Sequence, residues 1–168
     1  RQLAKDANAL RRQGYCSADN STAVTLATLY NAGVFGTGAM LVGAHAYGAL
    51  LNTLGVKPRR NYATEDIDIA RYAPIQLAAV PEGGLLEILR RTGLPFFEVP
   101  ELDSPRPSTS FLQRGTRLMV DLLVPSKDAT YGSVCVPELR AHATALPFLG
   151  FLLAEQLDTA ILSRDRVI

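Results

Sequence analysis

Residues 66–70 place two aspartates two positions apart among apolar side chains. In a β-strand, side chains two positions apart point to the same face, with Cα atoms roughly 7 Å apart. Asp66 and Asp68 would then share one face, while Ile67 and Ile69 occupy the other. Two carboxylates on one face repel each other unless something positive lies between them. A divalent metal ion, an arginine or lysine side chain, and open water are the three solutions that this segment leaves open.

The composition limits the classes of protein to which the chain can belong. Its 168 residues suit one domain with a substantial core, and 48% hydrophobic and 20% charged residues are ordinary for a globular protein. A net charge of +1 gives no strong signal for a nucleic-acid partner. No apolar run reaches the ~20 residues that a membrane span needs, so no membrane partner is predicted. Cys16 and Cys135 have no metal-type spacing, and the expected location is the reducing cytoplasm.

The sequence predicts a helical lead-in at residues 1–32 and a main domain at residues 33–168, with its core at about 36–125. Apolar residues recur at helical spacing near the start of the chain, and Asp19 offers an N-cap for a second helix. Because the chain begins with Arg1 rather than Met, we expect it to be a fragment of a longer protein.

Residues 39–44 predict a strand that passes directly into a helix at a glycine. The apolar residues 39–42 read as a buried strand, and residues 44–54 as a helix. The first N–H groups of a helix are unpaired and carry the positive end of its dipole, so they accept phosphate when no side chain blocks the approach. Gly43 leaves that approach open. His45, in the first turn, either contacts a phosphate or metal or is a packing or capping histidine.

A third carboxylate lies at the centre of a later apolar run. Residues 118–124 read as a core strand, the second strand of a hairpin, with Asp121 in the middle. An isolated buried carboxylate is costly to ionise, so it needs a partner. One solution is a metal shared with Asp66 and Asp68. The alternative is a salt bridge to one of three basic residues: Arg71, Arg114 or Arg117.

A basic loop at residues 57–62 leads into the acidic strand. Its lysine and two arginines could contact the phosphates of a nucleotide or polynucleotide. A solvated loop is the commoner outcome for such a run of charge, and the sequence leaves both interpretations open.

The sequence resembles the nucleotidyltransferase superfamily of the polymerase-β type. The resemblance lies in three features in this order: a glycine between a strand and a helix, a strand with an acid–apolar–acid pattern, and a later acid in an apolar strand. The chain is most similar to a bacterial group that carries a Leu-Val-Gly-x-His-Ala segment and a Thr-x-Asp-Ile-Asp segment, here residues 41–46 and 64–68. The resemblance covers residues 33–124 well and the C-terminal part only loosely. It implies an α/β (α+β) fold, with a mixed, mostly antiparallel sheet flanked by helices.

The resemblance also implies an activity, the transfer of a nucleoside monophosphate (NMP) from a nucleoside triphosphate (NTP) to a hydroxyl group. The acceptor would be a protein, an RNA or a small molecule. Asp66, Asp68 and Asp121 would be the catalytic residues and would hold two Mg²⁺ ions. The first two would bind the metal on the nucleotide side, and Asp121 would help to bind the metal that activates the acceptor.

The resemblance implies that Gly43 and the helix start after it bind the triphosphate, so the predicted nucleotide-binding residues are Gly43, Ala44 and His45. The wider superfamily assigns no role to His45, which is included for its place in the first turn. Active members usually carry Gly-Gly or Gly-Ser at this turn, whereas this chain has Ala44, which keeps its N–H group but lacks a hydroxyl. The alternative function is therefore a catalytically inactive nucleotide-binding or interaction module with the same fold, as in some toxin–antitoxin pairs.

Overall fold

The computed structural model describes these residues: 2–36, 38–58, 64–77, 82–100, 106–128, 130–164 and 167–168. The helices in these ranges are α1 (Gln2–Arg12), α2 (Asn20–Asn31), α3 (Gly43–Thr53), α4 (Gly84–Arg90) and α5 (Leu149–Leu152). The strands are β1 (Ala39–Val42), β2 (Asp66–Arg71), β3 (Phe96–Glu98), β4 (Ser110–Gln113), β5 (Met119–Pro125), β6 (Gly132–Val136) and β7 (Ala141–Leu146). A 3₁₀ turn at Pro137–Leu139 joins the last two strands.

The strands form one mixed sheet with β5 at its centre. The order is β1-β2-β5-β4-β3, while β7 pairs with the second half of β5 and β6 pairs with β7. The β2–β5 and β5–β7 pairs are parallel, and the other four pairs are antiparallel. The mixed, mostly antiparallel sheet flanked by helices, predicted from the sequence, is therefore confirmed.

The two faces of the sheet differ sharply in polarity. On one face, Ile67, Ile69, Val120 and Leu122 have no exposed surface, because α2 and α4 cover them in the main hydrophobic cluster. The period of two in a strand turns the intervening side chains to the other face. Those positions hold the exposed Asp66, several half-buried side chains and Ala70, which is buried under the α5 segment. We call this second side the open face.

Several local elements match their sequence signals. Asp19 is the N-cap of α2, and its carboxylate accepts a hydrogen bond from Thr22 N–H. Strand β1 has the predicted limits, and α3 begins one residue earlier than predicted, at Gly43. The predicted hairpin around residues 114–115 forms as β4 and β5.

The β6–β7 hairpin is the main feature that the sequence did not predict. Residues 145–153 form one apolar segment in the sequence with a break at Gly150, whereas the structure ends β7 at Leu146 and begins the short helix α5 at Leu149. The core-facing positions of β7 are all alanine, which is depleted in strands and gives weak alternation. The periodic signal was therefore too faint to find. Within the described ranges, each helix is too short or too polar to cross a membrane.

Candidate functional site

Parallel pairing of β2 with β5 brings the predicted acids together on the open face. The register sets Asp68 directly opposite Asp121, while Asp66 lies opposite Met119. Neighbouring strands are about 4.8 Å apart, so Asp68 and Asp121 are immediate neighbours across the two strands. Asp66 lies two residues along β2, on the same face and more exposed to solvent.

No cationic side chain in the described part of the structure pairs with these acids, and the pKa values of Asp68 and Asp121 are raised. Burial raises the pKa of Asp68 above its ordinary range, and the negative charges of Asp121 and Asp66 raise it further. Burial also raises the pKa of Asp121, although a hydrogen bond with Ser110 opposes the change. Carboxylates whose ionisation is disfavoured in this way gain from a bound cation.

Two of the three arginines proposed as salt-bridge partners contact other residues. Arg71 Nε lies 2.5 Å from Glu138 Oε1, and the Arg114 guanidinium lies over the Phe97 ring, 5.8 Å from its centroid. Ion pairs in the described part of the chain do not involve Asp66, Asp68 or Asp121. The alternative in which arginine neutralises the acids, Arg117 included, is absent from that part of the structure.

The start of α3 lies beside Asp68. Its N-cap residue, Val42, pairs with Asp68 in the sheet and provides no side-chain cap. Gly43 has a φ of +71°, in the left-handed region that favours glycine, and a Cβ atom there would overlap Asp68 Oδ2. Gly43 and Ala44 are both exposed. The positive end of α3 is therefore open to solvent next to the acid pair, as a phosphate site requires.

His45 faces a small cavity towards the lead-in. Its Nε2 atom is buried and has no hydrogen-bond partner among the described residues. Burial lowers the pKa of this imidazole, against the opposing charges of Asp19 and Asp66, so the ring is mainly neutral at neutral pH. The cavity measures about 20 Å³, enough for one water molecule. It is lined by Cys16, Ser17, Ala18, Ala44, His45, Gly48, Ala49, Asn52, Ile161 and Leu162.

The acids suit a magnesium ion that arrives with its nucleotide better than a permanently bound metal. In the ranges that the structure describes, no three acidic, histidine or cysteine side chains converge as a ready-made metal site. Mg²⁺ usually keeps several waters and takes one or two carboxylates together with substrate phosphates. Asp68 and Asp121 could supply such a pair of hard oxygen ligands, and Asp66 lies two residues from Asp68 on the same strand face.

The structure describes only the first two residues of the basic loop, Lys57 and Pro58. Lys57 lies over the Tyr15 ring, 4.9 Å from its centroid, and therefore packs against the lead-in. Residues 59–62, which carry both arginines of the loop, lie outside the described residues. Contact between this loop and phosphate stays a prediction.

Ser110 is a site residue that sequence reasoning missed. It is opposite Asp121 in the antiparallel β4–β5 pair, and its hydroxyl hydrogen-bonds the Asp121 carboxylate. The signal was present in the predicted hairpin, because its register decides which β4 residue faces the central acid. The sequence predicts a turn of only Arg114 and Gly115, which would set Ser108 opposite Asp121. The structure begins β5 at Met119, and this longer turn places Ser110 there instead.

Comparison with known families gives one result. A family model described as nucleotidyltransferase matches residues 20–167, which include β1, α3, β2 and β5 with all three acids. The match supports the resemblance drawn from the motifs. Comparisons with the curated proteins and with the solved structures give no match.

Proposed function

The chain belongs to a nucleotidyltransferase family, and we propose that it transfers NMP from an NTP to a hydroxyl acceptor in a Mg²⁺-dependent reaction. The acceptor oxygen forms a bond to the α-phosphorus, the bond from that phosphorus to pyrophosphate breaks, and the hydroxyl proton is released. The observation that carries this proposal is the juxtaposition of Asp68, Asp121 and the uncapped start of α3 on the open face.

Each part of the site has a distinct role in this proposal. The exposed N–H groups at the start of α3 bind the β- and γ-phosphates, and Gly43 keeps that approach clear. Asp66 and Asp68 hold the metal on the nucleotide side, and Asp121 helps to hold the metal on the acceptor side. Bound Mg²⁺ neutralises phosphate charge and lowers the pKa of an attacking hydroxyl.

One observation favours a second function, nucleotide binding without transfer. The exposed first turn of α3 carries Ala44, so no side-chain hydroxyl is present where active relatives of this type often have serine. A weaker hold on the triphosphate would slow transfer more than it weakens overall binding, because catalysis requires accurate positioning of the α-phosphorus.

Labelled nucleotides separate these functions. The protein is incubated with Mg²⁺, cell extract and NTP labelled at either the α- or the γ-phosphate. Transfer of NMP predicts that only the α-label enters an acceptor, and that Asp68→Asn or Asp121→Asn removes the signal. Asp128→Asn, which removes the same charge from the exposed loop after β5, is the matched control and should leave labelling unchanged.

The other outcomes identify other activities. Transfer of the γ-label would indicate phosphoryl transfer and contradict the proposal. Mg²⁺-dependent NTP binding without transfer of either label would support the inactive nucleotide-binding module instead.

A further inference from the structure

Helix α5 presents an apolar surface to solvent. Phe148 and Phe151 are each 85% exposed, and Leu152 is 64% exposed. A contiguous exposed patch of this kind indicates a binding site. Phe148 also has a φ of +64°, a left-handed conformation that is uncommon for a bulky residue and that tends to persist at functional positions. We call these three side chains the α5 apolar surface.

This surface lies directly beside the acids on the open face. The buried side of the α5 segment, Leu149 and Leu153, forms a cluster with Ala70 and is packed by Leu123. Ala70 follows Asp68 by two residues on β2, and Leu123 follows Asp121 by two residues on β5. Side chains at that spacing share a face and are roughly 7 Å apart. Helix α5 therefore rests on the row of side chains next to the acid pair.

The orientation of α5 turns one apolar flank towards the acids. Gly150 and Leu152 are about 200° apart around the helix and so lie on opposite flanks. A Cβ atom on Gly150 would lie 3.8 Å from Pro125 Cβ, and Pro125 is the β5 residue farthest from Asp121 on that face. The Gly150 flank thus faces away from the acids, and the Leu152 flank faces them. Phe148 is the N-cap residue of α5, so its exposed ring lies at the start of the helix, directly before its first turn.

We propose that the α5 apolar surface binds the nucleobase of the NTP, with Phe148 as the ring on which the base stacks. The inference rests on the proposed function, which places the phosphates at Gly43 and the acids. Leu146 at the end of β7 pairs with Pro125, four residues beyond Asp121, and the chain then turns back over the sheet. Leu149 and Leu153 share a cluster with Ala70, against which Val42, the residue before Gly43, also packs. Helix α5 and the start of α3 therefore lie around one cluster, so a nucleotide with its phosphates at Gly43 has α5 beside it.

The surface explains how a site with few polar groups can hold a base. The residues of the α5 apolar surface line an open concavity of about 480 Å³, together with Leu146, Pro147 and Leu149. That volume is within the usual range for a small-molecule site. Stacking on an aromatic ring tolerates every base, since every base has a π-face. The inference therefore predicts weak base selectivity.

Calorimetry with two ligands tests the nucleobase site separately from the phosphate site. Mg²⁺-ATP and Mg²⁺-tripolyphosphate are each titrated into the wild type, Phe148→Asn and Phe148→Tyr. Asparagine tolerates the left-handed backbone, so the first variant removes the ring without adding strain. Tyr30→Ala is the matched control, because Tyr30 is another exposed aromatic residue, 65% accessible, on α2, which covers the opposite face.

The expected result is a selective loss of ATP affinity. Phe148→Asn should weaken ATP binding by at least about fivefold, from the usual contribution of base stacking, while tripolyphosphate binding stays unchanged. Phe148→Tyr and Tyr30→Ala should bind both ligands as the wild type does.

Every other result overturns the inference in an identifiable way. Unchanged ATP affinity in Phe148→Asn rejects the nucleobase site, and if that variant also loses concentration-dependent self-association, the surface joins two copies of the chain. An equal loss for both ligands makes Phe148 a structural residue. If the wild type binds Mg²⁺-ATP no more tightly than Mg²⁺-tripolyphosphate, only the nucleobase site is rejected. If the wild type binds neither ligand, the proposed function is rejected as well.

Discussion

Replacing Asp68 with asparagine should stabilise the nucleotide-free protein. Asp68 and Asp121 are opposite each other on adjacent strands, so their charges are about 5 Å apart, and at an effective dielectric constant of about 20 they repel by roughly 3 kcal/mol. Both side chains are only half-buried, and solvent screening reduces the expected gain to about 1 kcal/mol. Asparagine keeps the shape of the side chain and removes its charge.

The gain should depend on pH in a defined direction. The folded state raises the pKa of Asp68 above its ordinary value of 3.8, so folding favours the protonated carboxyl. The wild type therefore loses stability as the pH rises from that ordinary value through the raised one. The asparagine side chain cannot ionise, and the advantage of the Asp68→Asn variant should be present at neutral pH and absent in acid.

Urea unfolding at neutral and acid pH measures this difference. The matched control is Asp128→Asn, which changes the net charge equally but lies on an exposed loop. Equal stabilisation of Asp68→Asn at both pH values would refute the electrostatic reasoning, because the effect would not require an ionised carboxylate. A less stable variant at neutral pH would refute it as well, since the acid would then be satisfied in the wild type.

Three further substitutions test other parts of the site. Gly43→Ala adds a Cβ that displaces the Asp68 carboxylate, and the left-handed backbone at this position costs the variant about 1–2 kcal/mol of unfolding free energy. Chemical unfolding should show the loss of stability, and NTP titration should show weaker NTP binding. Ala44→Ser adds a hydroxyl at the start of α3 and should tighten NTP binding about fivefold in calorimetry, and no change would mean that the phosphates lie elsewhere. Burial raises the pKa of Glu138, but its hydrogen bonds, with that from Arg71 the largest, and the Arg71 charge together lower the net pKa. Glu138→Gln should therefore lower the free energy of unfolding by about 1 kcal/mol at neutral pH. In urea unfolding this loss should disappear as the pH falls through the lowered pKa. An equal loss in acid would show that the effect comes from packing.

Local periodicity explains why part of the site was predictable. Acids two residues apart in a strand must share a face, which placed Asp66 and Asp68 on one side of β2. A strand followed at once by a glycine and a helix gave β1, Gly43 and α3 with their limits correct to within one residue. These features depend on neighbours in the chain, which the sequence displays directly.

Long-range pairing explains what could not be predicted. About fifty residues separate β2 from β5, and nothing in either strand alone specifies the parallel register that sets Asp68 beside Asp121. The partner of Arg71 is also distant in sequence, so the sequence offered the acids as partners, whereas the structure pairs it with Glu138. Neither choice is visible before the sheet is assembled.

The most direct test of the account is NTP binding measured by calorimetry with and without Mg²⁺. Four proteins are compared: the wild type, the double variant Asp66→Asn/Asp68→Asn, Asp121→Asn and the control Asp128→Asn. The account predicts Mg²⁺-dependent binding to the wild type and the control, and loss of that binding in the other two. Unchanged binding in the double variant, or equally tight wild-type binding without Mg²⁺, would contradict a nucleotide site built on these acids.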